Sequence, residues 1–147
     1  MKITDALRGE HGVLLRMLEF VAGEARGASL GDAQAMGRLL RQAIESHAQL
    51  EDELLFCALE PSLPAQQGPL AVMRMEHAEI EGSLERLARE TAAEGAGALL
   101  LHLAEVARDH FAKEEQVLFP LAERVLPAER LVEIGTTWAE RRAVLVG

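Results

Sequence analysis

One pattern is written twice in this chain: His47-Ala-Gln-Leu-Glu51 and His110-Phe-Ala-Lys-Glu114 each set an imidazole and a carboxylate four residues apart. Each is followed at the same distance by the same apolar pair, Leu55-Phe56 and Leu118-Phe119, and each is preceded by a Glu-His pair, Glu10-His11 and Glu76-His77. The offsets nearly agree, with 66 positions between His11 and His77 and 63 both between His47 and His110 and between Glu51 and Glu114. The chain therefore reads as two copies of a helical hairpin, each carrying His and then His-x-x-x-Glu. A helix advances about 100° and about 1.5 Å per residue, so residues four apart share one face, about 6 Å apart along the axis. Turned inward together, the two faces offer four imidazoles and two carboxylates, enough donors for two transition-metal ions.

The surrounding residues predict where those helices run. Apolar residues recur at steps of three and four. The first helix is expected from Thr4-Asp5 to about Arg26-Gly27, with the stripe Leu7, His11, Leu14, Leu18, Val21, Ala25. Asp32 suits the cap of a second, reaching about Leu59 through Met36, Leu40, Ile44, His47, Glu51, Leu54 and Ala58, where Pro61 and Pro64 stop it. Pro69 opens a third, to about Ala92, with Met73, His77, Ile80, Leu84 and Leu87. A loop at Glu94-Gly-Ala-Gly97 leads to a fourth carrying Leu99, Leu103, Val106, His110, Glu114, Val117 and Leu121, which Pro120 kinks or ends. A short C-terminal helix is expected at about 128–144, with Trp138 packed over the bundle end.

Four long helices with short connections predict an all-α fold, an up-down-up-down four-helix bundle over about 4–124 followed by that short helix, in one domain of residues 1–147. His11 lies about fifteen residues before the first helix ends and His47 about fifteen after the second begins, so an antiparallel pair brings them to one height. The later pairs agree to within a few residues. A lone histidine on an apolar stripe is most often a hydrogen-bonded core residue. Four on one level with two carboxylates are harder to explain that way. Buried carboxylates need a compensating charge, and no Lys or Arg stands on these stripes, so a metal is the natural partner. The candidate ligands are His11, His47, Glu51, His77, His110 and Glu114. His102 is rotated by roughly 80° from His110 and reads as a surface residue. Glu115 turns about 140° from His110 on a regular helix against about 40° for Glu114, which favours Glu114 unless a π-bulge intervenes. Nitrogen and oxygen donors without thiolate suit iron or manganese and tolerate zinc.

Composition narrows the alternatives. A formal charge of −9 argues against a nucleic-acid surface. The single cysteine, Cys57, excludes an intramolecular disulfide or a thiolate cluster and is expected to pack as a small core residue. The first eleven residues show no apolar secretion core, and no stretch reaches the ~20 apolar residues of a membrane span, which together predict a soluble cytoplasmic protein.

With these residues in place the chain resembles the hemerythrin-like proteins of the HHE cation-binding type. The resemblance rests on His11, His47-x-x-x-Glu51, His77 and His110-x-x-x-Glu114, with Glu115 and Leu118-Phe119-Pro120 behind, and covers about residues 4–121. It implies a four-helix bundle around two non-haem iron ions joined by an oxo or hydroxo group. His11 and His47 would serve one iron, His77 and His110 the other, and Glu51 and Glu114 would bridge. Oxygen-carrying hemerythrins place a further His one turn before the third-helix His, where this chain has Met73, and an Asp five residues after the fourth-helix His, where it has Glu at four and five. Stable oxygen carriage is thus less favoured than a centre that binds, senses or reacts with oxygen, peroxide or nitric oxide. Such a protein is a binder or sensor, acting through a protein partner or through the bundle, with at most weak oxidase or peroxidase-like activity. Two alternatives stay open: iron storage, donation or iron-centre repair, and a metal-stabilised interaction module docking through Trp138, Arg141 and Arg142. The repair members carry an additional cysteine-containing N-terminal segment that this sequence does not show.

Overall fold

The computed structural model describes residues 1–63 and 67–144; Pro64, one of the two expected helix stops, lies outside them. It is all-helical, with no strand among the described residues. Four long helices, α1 (Ile3–Glu24), α2 (Leu30–Leu50), α3 (Pro69–Arg89) and α4 (Ala93–Lys113), pack in sequence order, and α1 closes the bundle against α4. The shorter α5 (Ala128–Arg142) lies against α1. Across the bundle α2 also touches α4, which brings the two His-x-x-x-Glu segments face to face.

Both of those helices widen immediately after His-x-x-x. Glu51–Phe56 and Glu114–Leu118 are π-helical, and the amides of Cys57 and Phe119 reach back five residues to the carbonyls of Asp52 and Glu114. The chain returns to α-helix at Cys57–Leu59 and at Phe119–Val125. Each wide turn moves the apolar register on by one position. Leu55 and Phe56 are buried where Leu54 was expected, and Leu118 and Phe119 where Val117 was expected; Val117 is exposed. The same slip overturns the expectation for Cys57, whose thiol is exposed because Leu55, Phe56 and Leu59 take the inward face. Pro120 does not end the fourth helix, since the helix resumes around it and runs to Val125.

Other boundaries differ for local reasons. Thr4 is not the first cap: its hydroxyl donates to Glu123, 2.7 Å away, and the helix starts at Ile3. The second helix is capped by Ser29, whose Oγ accepts from the Asp32 amide at 3.1 Å. The expected loop around Glu94–Gly97 is helical from Ala93. Gly97 is there because α1 passes so close that a Cβ would stand 2.4 Å from the Ala25 carbonyl oxygen. The last helix ends at Arg142, and Ala143 turns left-handed at φ 54° instead of carrying it to Val144.

The core falls into two apolar clusters. One gathers Ile3, Leu7, Leu55, Phe56, Phe119 and Trp138 beneath α5. The other holds Leu14, Leu18, Leu40, Leu84, Leu100 and Leu103 toward the far end. His11, His47, Glu51, His110 and Glu114 form a buried polar layer between them.

Candidate metal centre

All six residues expected from the sequence meet in that layer. Donor atoms of His11, His47, Glu51 and Glu114 lie within 4.8 Å of one another, and so do those of Glu51, His77, His110 and Glu114. The two groups share both carboxylates. Glu114 directs Oε2 to 3.2 Å from His11 Nε2 and Oε1 to 3.0 Å from His110 Nε2. Glu51 Oε2 stands 3.7 Å from His47 Nε2 and 3.6 Å from His77 Nε2. Each carboxylate therefore spans one imidazole from each half of the repeat.

The outer faces of the rings explain why these nitrogens point inward. Nδ1 of His47 donates to Glu10 at 2.7 Å, that of His110 to Glu76 at 2.9 Å and that of His11 to Glu115 at 2.9 Å. His77 Nδ1 lies 3.7 Å from Asp52. A carboxylate can only accept, so in His11, His47 and His110 Nδ1 carries the hydrogen and Nε2 turns its lone pair into the layer, as metal-ligating histidines require. The four acids follow the repeat. The Glu of each Glu-His pair accepts from the second His of its own half, and the acid after each His-x-x-x-Glu stands beside the first His of the other half, Glu115 within hydrogen-bond distance of His11 and Asp52 at 3.7 Å from His77. The Leu-Phe tails follow the same exchange: Phe119 stacks on His11 at 5.4 Å between ring centres and Phe56 on His77 at 5.7 Å.

Sequence reasoning missed these four acids, although the repeated Glu-His pairs and the acids Asp52 and Glu115 were visible signals. Glu114 belongs to both donor groups and Glu115 to neither; Glu115 is 38% exposed and takes the outer hydrogen bond of His11 instead. Glu115→Ala should weaken metal binding by roughly 10- to 100-fold, the usual cost of an outer carboxylate. A chelator-competition titration reads this directly, and an unchanged affinity would return Glu115 to the surface. His102 lies apart from the layer on the exposed side of α4, as expected.

The donor chemistry fits a cation. Both oxygens of Glu51 and of Glu114, both ring nitrogens of His77 and Nε2 of His110 are buried without a hydrogen-bond partner. Nε2 of His11 and of His47 face each other at 3.2 Å, an arrangement two bare lone pairs cannot hold without a positive charge between them. Without a metal, protons supply that charge. Burial opposes charge on His77, but Asp52 and Glu51 beside it hold its pKa up to about 10. Burial and the neighbouring Glu114 push Glu51 up to about 7. Burial also opposes ionisation of Glu114, yet the imidazoles of His11 and His110 close beside it hold it below the usual carboxylate range. One carboxylate of the facing pair stays ionised while the other keeps its proton.

Fold and site together define a helical-bundle protein built to hold cations between paired histidines and shared carboxylates. The family model for the hemerythrin HHE cation-binding domain matches residues 2–130, and the chain belongs to that family. No curated protein and no solved structure gives a significant match. No helix among the described residues is long and apolar enough to cross a membrane.

Proposed function

We propose that the chain binds two iron ions, one among His11, His47, Glu51 and Glu114 and one among Glu51, His77, His110 and Glu114, and that it binds, senses or reacts with oxygen, peroxide or nitric oxide. The observation that carries this reading is the pair of donor groups sharing two buried carboxylates. Four imidazoles and two carboxylates do not fill two six-coordinate ions. A bound iron pair would therefore keep exchangeable positions for a small ligand and supply reversible electron donation to it.

The protein's own residues offer that ligand an approach. A cleft of about 350 Å³ opens between α2 and α3, reaches His47, His77 and His110, and does not reach His11. It lies where the first repeat has Ala48; the second repeat has Phe111 at the matching position, stacked on His11 at 4.4 Å. His77 is consequently 13% exposed while His11 is fully buried. Ile44, Ile80 and Leu84 give the cleft an apolar wall and Glu45, Asp52, Glu53 and Glu81 an acidic one, a lining that admits a small uncharged ligand more readily than an anion. The setting is a cytoplasmic one on this reading.

Anaerobic loading with ferrous iron, followed by optical spectra before and after exposure to oxygen or nitric oxide, tests the assignment. New near-ultraviolet and visible bands that depend on the gas support it. Two bound irons with no spectral response to any of these ligands would favour iron storage or donation.

A further inference from the structure

The two halves of the repeat match in the residues that face the layer but differ in what anchors them from outside. Glu76, which orients His110, is hydrogen-bonded by Lys113, a half-exposed side chain from the same repeat. The corresponding position in the first repeat is Leu50, which is buried in the apolar cluster beneath α5. Glu10, which orients His47, takes its counter-charge from α5 instead. Arg142 Nε donates to Glu10 Oε1 at 2.6 Å, and Trp138 Nε1 donates to the same oxygen at 3.2 Å. The Arg142 guanidinium also donates to the carbonyl oxygen of Ser46 at 3.1 Å and to its hydroxyl, one residue before His47. A planar guanidinium forked over three acceptor oxygens is better fixed than a single ammonium on a flexible stem. Glu10 is therefore held by three donors, two of them on α5, whereas Glu76, buried to the same degree, has a single outer donor in the half-exposed Lys113.

We propose that Trp138 and Arg142 are positioning residues for the metal centre: they fix Glu10, Glu10 fixes His47, and the cation position at His11 and His47 is therefore filled first and released last. The position at His77 and His110, where His77 alone of the four imidazoles is partly exposed and where Lys113 supplies the outer anchor, is the exchangeable one. The inference rests on the two-cation reading above. It makes the C-terminal helix a structural sensor of occupancy, since the state of His47 is transmitted to α5 through one carboxylate.

Zinc titrated into the metal-free full-length chain, in competition with a chromophoric chelator, tests it. Wild type should bind two ions in steps at least tenfold apart. Arg142→Gln should weaken the first step by roughly 10- to 100-fold, the usual effect of losing outer support, and leave the second within about threefold. Lys113→Ala should do the reverse. Trp138→Phe keeps the ring packing and removes only the N–H, so it should weaken the first step less. A second readout needs no variant, because Trp138 is the only tryptophan and the chain has no tyrosine. Its emission should change with the first equivalent of zinc and stay constant through the second. Equal weakening of both steps by Arg142→Gln, no weakening, or an emission change confined to the second equivalent would overturn the inference and leave the two-cation reading intact. A wild-type chain that saturates with one ion would overturn both.

Discussion

Alanine at Glu114 is expected to cost the protein most of its affinity for at least one of the two proposed ions, by more than about 100-fold, a larger loss than outer carboxylates produce. Each oxygen of Glu114 faces an imidazole of a different half-site, at 3.2 Å from His11 and 3.0 Å from His110. Its removal would leave two cations in a largely buried layer with one carboxylate between them, and an uncompensated buried charge is strongly destabilising. Glu51→Ala should behave alike, since Glu51 Oε2 lies between His47 and His77. His110→Ala should be severe and His102→Ala mild. Metal content after dialysis, read by elemental analysis, separates these variants. Two ions retained by Glu114→Ala would show that the carboxylate does not bridge.

Metal should also raise the melting temperature, and by more as the pH rises. A ligand held at about 100 times its dissociation constant stabilises the folded state by about 2.7 kcal/mol. For a chain of this size that corresponds to roughly 5–10 °C. The pH dependence follows from His77 and Glu51. The folded-state pKa of His77 is raised from 6.5 to about 10, so its protonation stabilises the metal-free protein fully below 6.5 and is lost as pH rises toward 10. Glu51, raised from 4.5 to about 7, has the same sign and loses its contribution between those values. The metal-free protein should therefore melt lower at pH 9 than at pH 6.5. The bound metal has displaced these protons, so the gap between loaded and metal-free protein should widen over that interval. Calorimetric scans at the two pH values, with and without metal, check it; a gap that narrows toward pH 9 would contradict protons and metal competing for one set of donors.

What the sequence shows plainly is the layer. The stripe Leu7, His11, Leu14, Leu18, Val21, Ala25 is buried throughout, and the polar members of the other stripes converge with it. An α-helical period suffices there because nothing interrupts α1. The π-turns are illegible for a simple reason: Leu54-Leu55-Phe56 and Val117-Leu118-Phe119 are apolar at every position, so a slip of one residue leaves the pattern unchanged. That slip is what turns Cys57 outward. The lock on Glu10 is illegible for another reason. Its donors lie 128 and 132 residues away, and a tryptophan packed over the bundle end gives no hint of which carboxylate its N–H meets.

The account depends most on two ions sharing one layer. Ferrous iron titrated anaerobically into the metal-free chain, with bound iron and protein measured on the same samples, tests this directly. Saturation at two irons per chain in wild type, falling to one or none in both Glu51→Ala and Glu114→Ala, is the expected result. Saturation at a single iron that survives the loss of Glu114 would contradict it.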